Sequence, residues 1–174
     1  MWYVIWTVTG KEEELITLID KMVDSDVYES AFSIVREMAR RESGRYVLYK
    51  EIMFKGYVFV KTSSPEDFFY QLKKVPQFSK LLHDESFLYY TPTEAEEKFL
   101  KNLICESKEH VVRMSVAKVD EEGKIVAATE PLGLYLDKMV RQRLRKRYAV
   151  IEEELLGGKK RIQLGFWLER DLKE

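Results

Sequence analysis

An α+β sandwich followed by a small β-barrel is the architecture this sequence predicts, and three observations predict it. Over residues 1 to 106, strand-like alternation and helix-like apolar stripes succeed one another as strand, helix, strands, helix, strand, helix. After residue 110 the pattern changes to short alternating strands separated by glycine-bearing turns. The third observation is Met53-Phe54-Lys55-Gly56-Tyr57-Val58-Phe59-Val60, an apolar run around which the first part is organised. As one strand it places Phe54, Gly56, Val58 and Val60 on one side, and Met53, Lys55, Tyr57 and Phe59 on the other. Its glycine admits another backbone or a bend, and Tyr57 with Phe59 also fits ordinary core.

Trp2 to Thr9 alternates as a strand, with Trp2, Val4, Trp6 and Val8 on one face. Thr9-Gly10-Lys11-Glu12 fits a capping box for a helix whose stripe is Leu15, Ile16, Ile19, Met22 and Val23, ending near Asp24-Ser25-Asp26. Phe32 to Val35 reads as a second strand. Arg36 to Arg45 is a polar stretch expected to leave the core, and Tyr46 to Met53 leads back to the central strand. Ser64-Pro65-Glu66-Asp67 starts a helix with Phe68, Phe69, Leu72 and Val75 buried and Pro76 as its stop. Phe87 to Tyr90 reads as a strand, and Thr93-Glu94-Ala95-Glu96 caps a helix burying Phe99, Leu100, Leu103 and Ile104. Residues 107 to 110 read as a linker between a domain of 1–106 and one of 111–174.

In that second domain Val111–Val119, Lys124–Thr129, Tyr148–Leu155 and Lys160–Leu168 read as strands, with Asp120–Gly123 and Leu156–Lys159 as turns. The last strand is the clearest, since Ile162, Leu164, Phe166 and Leu168 alternate with Arg161, Gln163, Gly165 and Trp167. One signal disagrees. Leu132, Leu136, Val140, Leu144, Tyr148, Ile151 and Leu155 recur at nearly helical spacing, so residues 132 to 156 also pass as an amphipathic helix.

Charged residues make up 34% of the 174, and no apolar run approaches the roughly eighteen residues of a membrane span. With no signal-peptide pattern and a single cysteine, Cys105, the expectation is a soluble, cytoplasmic, monomeric protein without membrane contact. The net charge of −1 hides an asymmetry: residues 108 to 174 hold 15 Lys and Arg against 12 Asp and Glu, leaving 14 against 18 before them. Catalysis has little to work with. His83 and His110 lack metal-ligand companions, the glutamate beside Cys105 raises its pKa, and no phosphate-cradling glycine pattern occurs. Neither an enzyme nor a bound cofactor or metal is expected.

Lys138 to Arg147 is different, with six cations in ten residues and no acid: Lys138, Arg141, Arg143, Arg145, Lys146 and Arg147. Solvated charge runs are common, but this one reads as a loop in a mixed-charge barrel, flanked by Tyr135, Tyr148 and the second cluster Lys159, Lys160 and Arg161. Guanidinium groups bind phosphates bidentately and stack on bases, so an RNA hairpin is the expected ligand of these nine residues.

Two stretches resemble a known family. Phe54-Lys55-Gly56-Tyr57-Val58-Phe59-Val60 resembles the F-P-G-Y-V-x-V strand of the NusG N-terminal domain, and Trp2-Tyr3-Val4-Ile5 its opening strand. Lys55 departs from the family's proline. Gly123-Lys124-Ile125-Val126, Glu130-Pro131-Leu132, Gly157-Gly158 and Ile162-Gln163-Leu164 resemble the KOW domain that follows in NusG, although Tyr135 to Lys138 replaces a family glycine. The resemblance implies a ferredoxin-like N-terminal domain and a five-stranded KOW barrel. It also implies that an apolar pocket holds the clamp helices of RNA polymerase; the matching residues are Trp6, Phe54, Tyr57, Phe59, Phe78 and Leu81. The histidine-threonine motif of the RfaH type, whose second domain folds as a helical hairpin and later refolds, is not recognisable. In its short linker and arginine-rich KOW segment the chain is most similar to the LoaP subfamily, which implies processive antitermination on a structured leader RNA. A housekeeping NusG whose barrel contacts a ribosomal protein, and a freestanding RNA-binding module, are the competing readings.

Overall fold

The computed structural model describes residues 1–82, 89–105 and 107–173. His83, the Phe87-Leu88 half of one expected strand, and Glu106 lie outside these residues. In chain order the first elements are β1 (Trp2–Trp6), α1 (Glu12–Met22), β2 (Ser30–Phe32), β3 (Val35–Glu42), β4 (Arg45–Ile52), β5 (Tyr57–Lys61), α2 (Pro65–Lys73) and α3 (Glu94–Ile104). Then follow β6 (Val111–Val112), β7 (Ser115–Val119), β8 (Ile125–Ala128), β9 (Met139–Arg143), β10 (Tyr148–Leu155) and β11 (Gly158–Leu168). They form two compact units, Met1–Ile34 with Ile52–Glu97, and Val35–Glu51 with Lys98–Glu174. No helix among the described residues is long and apolar enough to cross a membrane.

The first unit is a three-stranded antiparallel sheet in the order β1-β5-β2, with register running from Trp2↔Lys61 to Trp6↔Tyr57. Period-two alternation sends Tyr3, Ile5, Val58 and Val60 to the helical side, where they pack with Leu15 and Ile19 of α1 and Phe68 and Leu72 of α2. Trp2 and Phe59 share the other side, with ring centroids 6.0 Å apart. Beyond β1, Tyr90 pairs with Val4 through reciprocal backbone bonds of 2.9 and 2.7 Å.

The central run is a turn followed by a strand, not one strand. The Tyr57 N–H donates to Phe54 O at 3.1 Å and Gly56 has φ of +83°, a type II turn with Lys55 at the position proline suits. Phe54 therefore joins Tyr57 and Phe59 instead of Val58. Gly56 is required twice, by its left-handed backbone and by the 3.0 Å that would separate a Cβ from Thr7 O.

The helix starts divide. Before α3 the Thr93 and Glu96 side chains exchange bonds with each other's backbone N–H at 3.1 and 3.0 Å, a complete capping box. Before α1 the expected box does not form. The Glu12 carboxylate is buried and accepts from Gly10 N and Gly56 N, the latter at 2.6 Å, tying the helix start to the turn before β5. Burial opposes its charge, but the N–H donors of Glu12, Gly56 and Gly10, with Lys55 nearby, outweigh that and hold its pKa below the usual value.

Arg36 to Arg45, expected to leave the core, forms most of β3 and the start of β4: Glu37, Met38 and Ala39 are buried, while Arg40 to Arg45 are exposed. Ser43 and Gly44, at φ of +49° and +82°, make the type I′ turn that joins β3 to β4. A hairpin needs paired backbone and a matching turn, so polar side chains do not prevent it. In the second unit β3 also pairs in parallel with β6, Val35 opposite Val111. It crosses β11 at Gly165, where a Cβ would come within 2.7 Å of Glu37 O.

The main sheet of the second unit has the order β8-β7-β11-β10-β9 and curls as a half-barrel. β7 and β11 run parallel, and the other neighbours are antiparallel. Ile162, Leu164, Phe166 and Leu168 are all buried, as alternation requires, while Leu156 and Gly157 form a second turn of left-handed residues between β10 and β11. Val111 to Val119 breaks at Arg113-Met114 into β6 and β7. The helical alternative for 132 to 156 is not adopted beyond two short 3-10 segments, Leu132–Lys138 and Leu144–Lys146. β10 gains hydrogen-bonded partners on both edges, which a helix there would forfeit, and Val140 of the proposed helical stripe is exposed.

Candidate functional site

In the first unit the ends of β1 and β5 meet because their register places Trp6 opposite Tyr57. From there a row of stacked rings extends both ways: Phe54 on Tyr57 at 6.2 Å, Tyr57 on Trp6 at 6.1 Å, and Trp6 on Tyr90 at 6.4 Å. Trp6, Tyr57 and Tyr90 are half-buried. Of the six residues assigned to the polymerase, only Trp6, Phe54 and Tyr57 come together in this row. Phe59 is fully buried against Trp2, Phe32 and Phe54, and Phe78 and Leu81 belong to the core on the helical side. Tyr90 was missed because its place depends on pairing with Val4, far away in sequence.

In the second unit the Lys138–Arg147 segment is a strand and a tight 3-10 turn, Leu144–Lys146, instead of a loop. Arg141 and Arg143 of β9, with Arg145 and Lys146 of the turn, are exposed and make no ion pair among the described residues. The other predicted cations are engaged. Lys138 pairs with Glu153, while Lys159 and Arg161 share Glu152 at 2.6 and 3.4 Å. The Lys159 hydrogen bond lowers the Glu152 pKa and raises that of Lys159. Lys160 is half-buried.

Arg147 is a correction, since it is buried at 4% exposure and cannot offer its guanidinium to a ligand. It binds both Asp171 oxygens at 2.8 and 2.9 Å, donates to Leu144 O, and lies 4.3 Å from the Tyr46 ring centroid. Burial opposes its charge, but Asp171 prevails and raises its pKa. Asp171 is likewise pushed up by burial and brought below its usual value by Arg147 and the Leu168 N–H. Arg147 thus holds the turn that displays Arg145 and Lys146.

The turn has neighbours that sequence reasoning missed. The tip of the β3–β4 hairpin lies beside it, and Tyr46 Oη donates to Arg145 O at 2.9 Å. Arg41, Gly44, Arg45 and Tyr46 from the hairpin, Leu144, Arg145 and Arg147 from the turn, and Arg170 with Asp171 after β11 line a cleft of about 920 Å³. Arg147 and Asp171 offset each other, so Arg41, Arg45, Arg145 and Arg170 make the cleft strongly positive. No local pattern marks the hairpin arginines, because Arg41 lies more than a hundred residues from Arg145.

Among the described residues no group of His, Cys, Asp and Glu could hold a metal ion. Cys105 has its thiol pKa raised by burial and by Glu130, which favours the unreactive thiol form.

The first unit thus carries an aromatic row on paired strands, and the second a positive cleft. The NusG family model, described as transcription termination factor nusG, matches residues 1–100. The chain therefore belongs to the NusG family of transcription elongation and termination factors, whose members bind RNA polymerase. Comparison with curated proteins gave no match.

Proposed function

We propose that this protein is a specialised, LoaP-like member of its family that rides on RNA polymerase and promotes processive antitermination after gripping a structured leader RNA. It has an N-terminal domain of the ferredoxin-like kind and a KOW-type second domain, acts as a cytoplasmic monomer, and works by binding without a chemical step. The observation that carries this reading is the set Arg141, Arg143, Arg145 and Lys146, four exposed cations without ion-pair partners among the described residues. A housekeeping role would not require them. Phosphate oxygens satisfy the three guanidinium groups bidentately and the Lys146 ammonium as a point charge, and a folded RNA offers several phosphates at fixed spacing. The row Trp6, Tyr57 and Tyr90 supplies the apolar contact for the polymerase clamp helices, with Phe54 behind it. Joining two modest affinities on one chain raises the effective concentration of each partner for the other.

A gel shift with RNAs selected from a random pool by the purified protein tests the reading. Changing Arg141, Arg143 and Arg145 together to alanine abolishes hairpin binding and leaves copurification with polymerase intact. Unchanged RNA affinity in that variant would contradict the proposal.

A further inference from the structure

We infer that the β3–β4 hairpin is itself part of the RNA-binding surface: Arg41 and Arg45, with Arg145 and Arg170, clamp the phosphodiester backbone of the RNA in the positive cleft. This deepens the RNA-binding reading and rests on it. The cleft of about 920 Å³ is at the upper end of ligand-site volumes, and four of its lining side chains are uncompensated guanidinium groups. A second cleft of about 350 Å³, lined by Arg40, Arg41, Tyr49, Arg145, Lys146 and Tyr148 among others, adjoins it, and Arg41 and Arg145 border both. The shared pair turns two depressions into one positive track, longer than a single anion needs and suited to a chain of phosphates.

The hairpin is also held in place for this task. Arg36 ties its base to Glu51 at 2.7 Å and to Gln163 O of β11 at 3.1 Å. Tyr46 ties its tip to the turn and carries Arg147 at 4.3 Å and Arg41 at 5.7 Å from its ring centroid. The backbone segments that carry Arg41, Arg45 and Arg145 are thus held near one another before any ligand arrives. Repulsion between their guanidinium groups is relieved when phosphates enter, which favours a polyanion over a neutral partner.

The test is RNA affinity of the full chain as a function of salt, with a stem-loop RNA carrying a randomised loop as probe. Arg41→Ala with Arg45→Ala is expected to weaken binding about tenfold near physiological salt, and to reduce the slope of log affinity against log salt by about 2. The pair Arg41→Lys and Arg45→Lys, which keeps the charge, is expected to keep the wild-type slope. If the alanine pair retains wild-type affinity and slope while the Arg141, Arg143 and Arg145 variant loses binding, the hairpin is no part of the surface and the inference is overturned. A lysine pair with the alanine pair's slope overturns it too, because charge is what the clamp uses. A wild-type protein that ignores every stem-loop at low ionic strength defeats the RNA-binding reading underneath.

Discussion

The aromatic face of the first unit and the cationic surface of the second were both marked by clusters of one residue type, yet folding sorted them differently. Of the six apolar residues assigned to the polymerase, Phe54, Phe59, Phe78 and Leu81 are buried and two remain half-buried. Of the six cations in Lys138–Arg147, only Arg147 is buried. An aromatic ring gains free energy wherever water is excluded, so its place in a cluster says little about whether it faces a partner or the core. A guanidinium is buried only where a carboxylate and carbonyls receive it, and Asp171 with Leu144 O provides one such place. Charge clusters therefore mark surfaces more faithfully than aromatic clusters do.

The largest test of that contrast is Phe59→Ala against Tyr57→Ala. Phe59 is enclosed by rings on several sides, and its loss should cost about 3–5 kcal/mol in urea unfolding. Tyr57→Ala should leave stability much closer to wild type while impairing copurification with polymerase. Equal stability losses would place Tyr57 in the core and remove it from the contact surface.

Next is Arg147→Ala against Arg143→Ala. Removing Arg147 leaves Asp171 without its partner and the turn without its brace, at a cost of about 3 kcal/mol in the same assay. Arg143→Ala should stay within about 0.5 kcal/mol of wild type. The Asp171 carboxylate, with its pKa lowered in the folded state, contributes stability above the ordinary carboxylate pKa, and that contribution is lost as pH falls through the lowered value. The gap between wild type and Arg147→Ala should therefore narrow in acid; a gap that stays constant would refute the ion pair as its source.

A smaller effect belongs to Glu12→Gln. The buried carboxylate accepts from two glycine N–H groups, so the amide should destabilise the first unit by about 1.5–3 kcal/mol at neutral pH. Its pKa is also lowered by folding, so this difference too should fade as pH drops, followed by melting curves. Smallest is Lys159→Ala, which removes an exposed pair with Glu152 and should leave the melting temperature unchanged within error.

Much of the fold was legible because periodicity reports burial directly. The alternation of Ile162 to Leu168, the stripe of α2 and the capping box at Thr93 appear where the residues place them. The strand assigned across Met53–Val60 was partly wrong because a glycine with positive φ converts its first half into a turn, and apolar character alone does not distinguish the two. The hairpin at Arg36–Ile52 escaped notice because its stability comes from backbone pairing and a two-residue turn.

By itself, then, the sequence determined the succession of strands and helices, the family likeness of Trp2–Ile5 and Phe54–Val60, and the excess of positive charge near residues 138 to 147. Each is written in local order, which neighbouring side chains enforce. Only the tertiary structure decided which aromatic rings stay at the surface, that Arg147 braces a turn, and that Arg41 and Arg45 stand beside Arg145. Those outcomes follow from contacts between residues far apart along the chain, and periodicity carries no record of them.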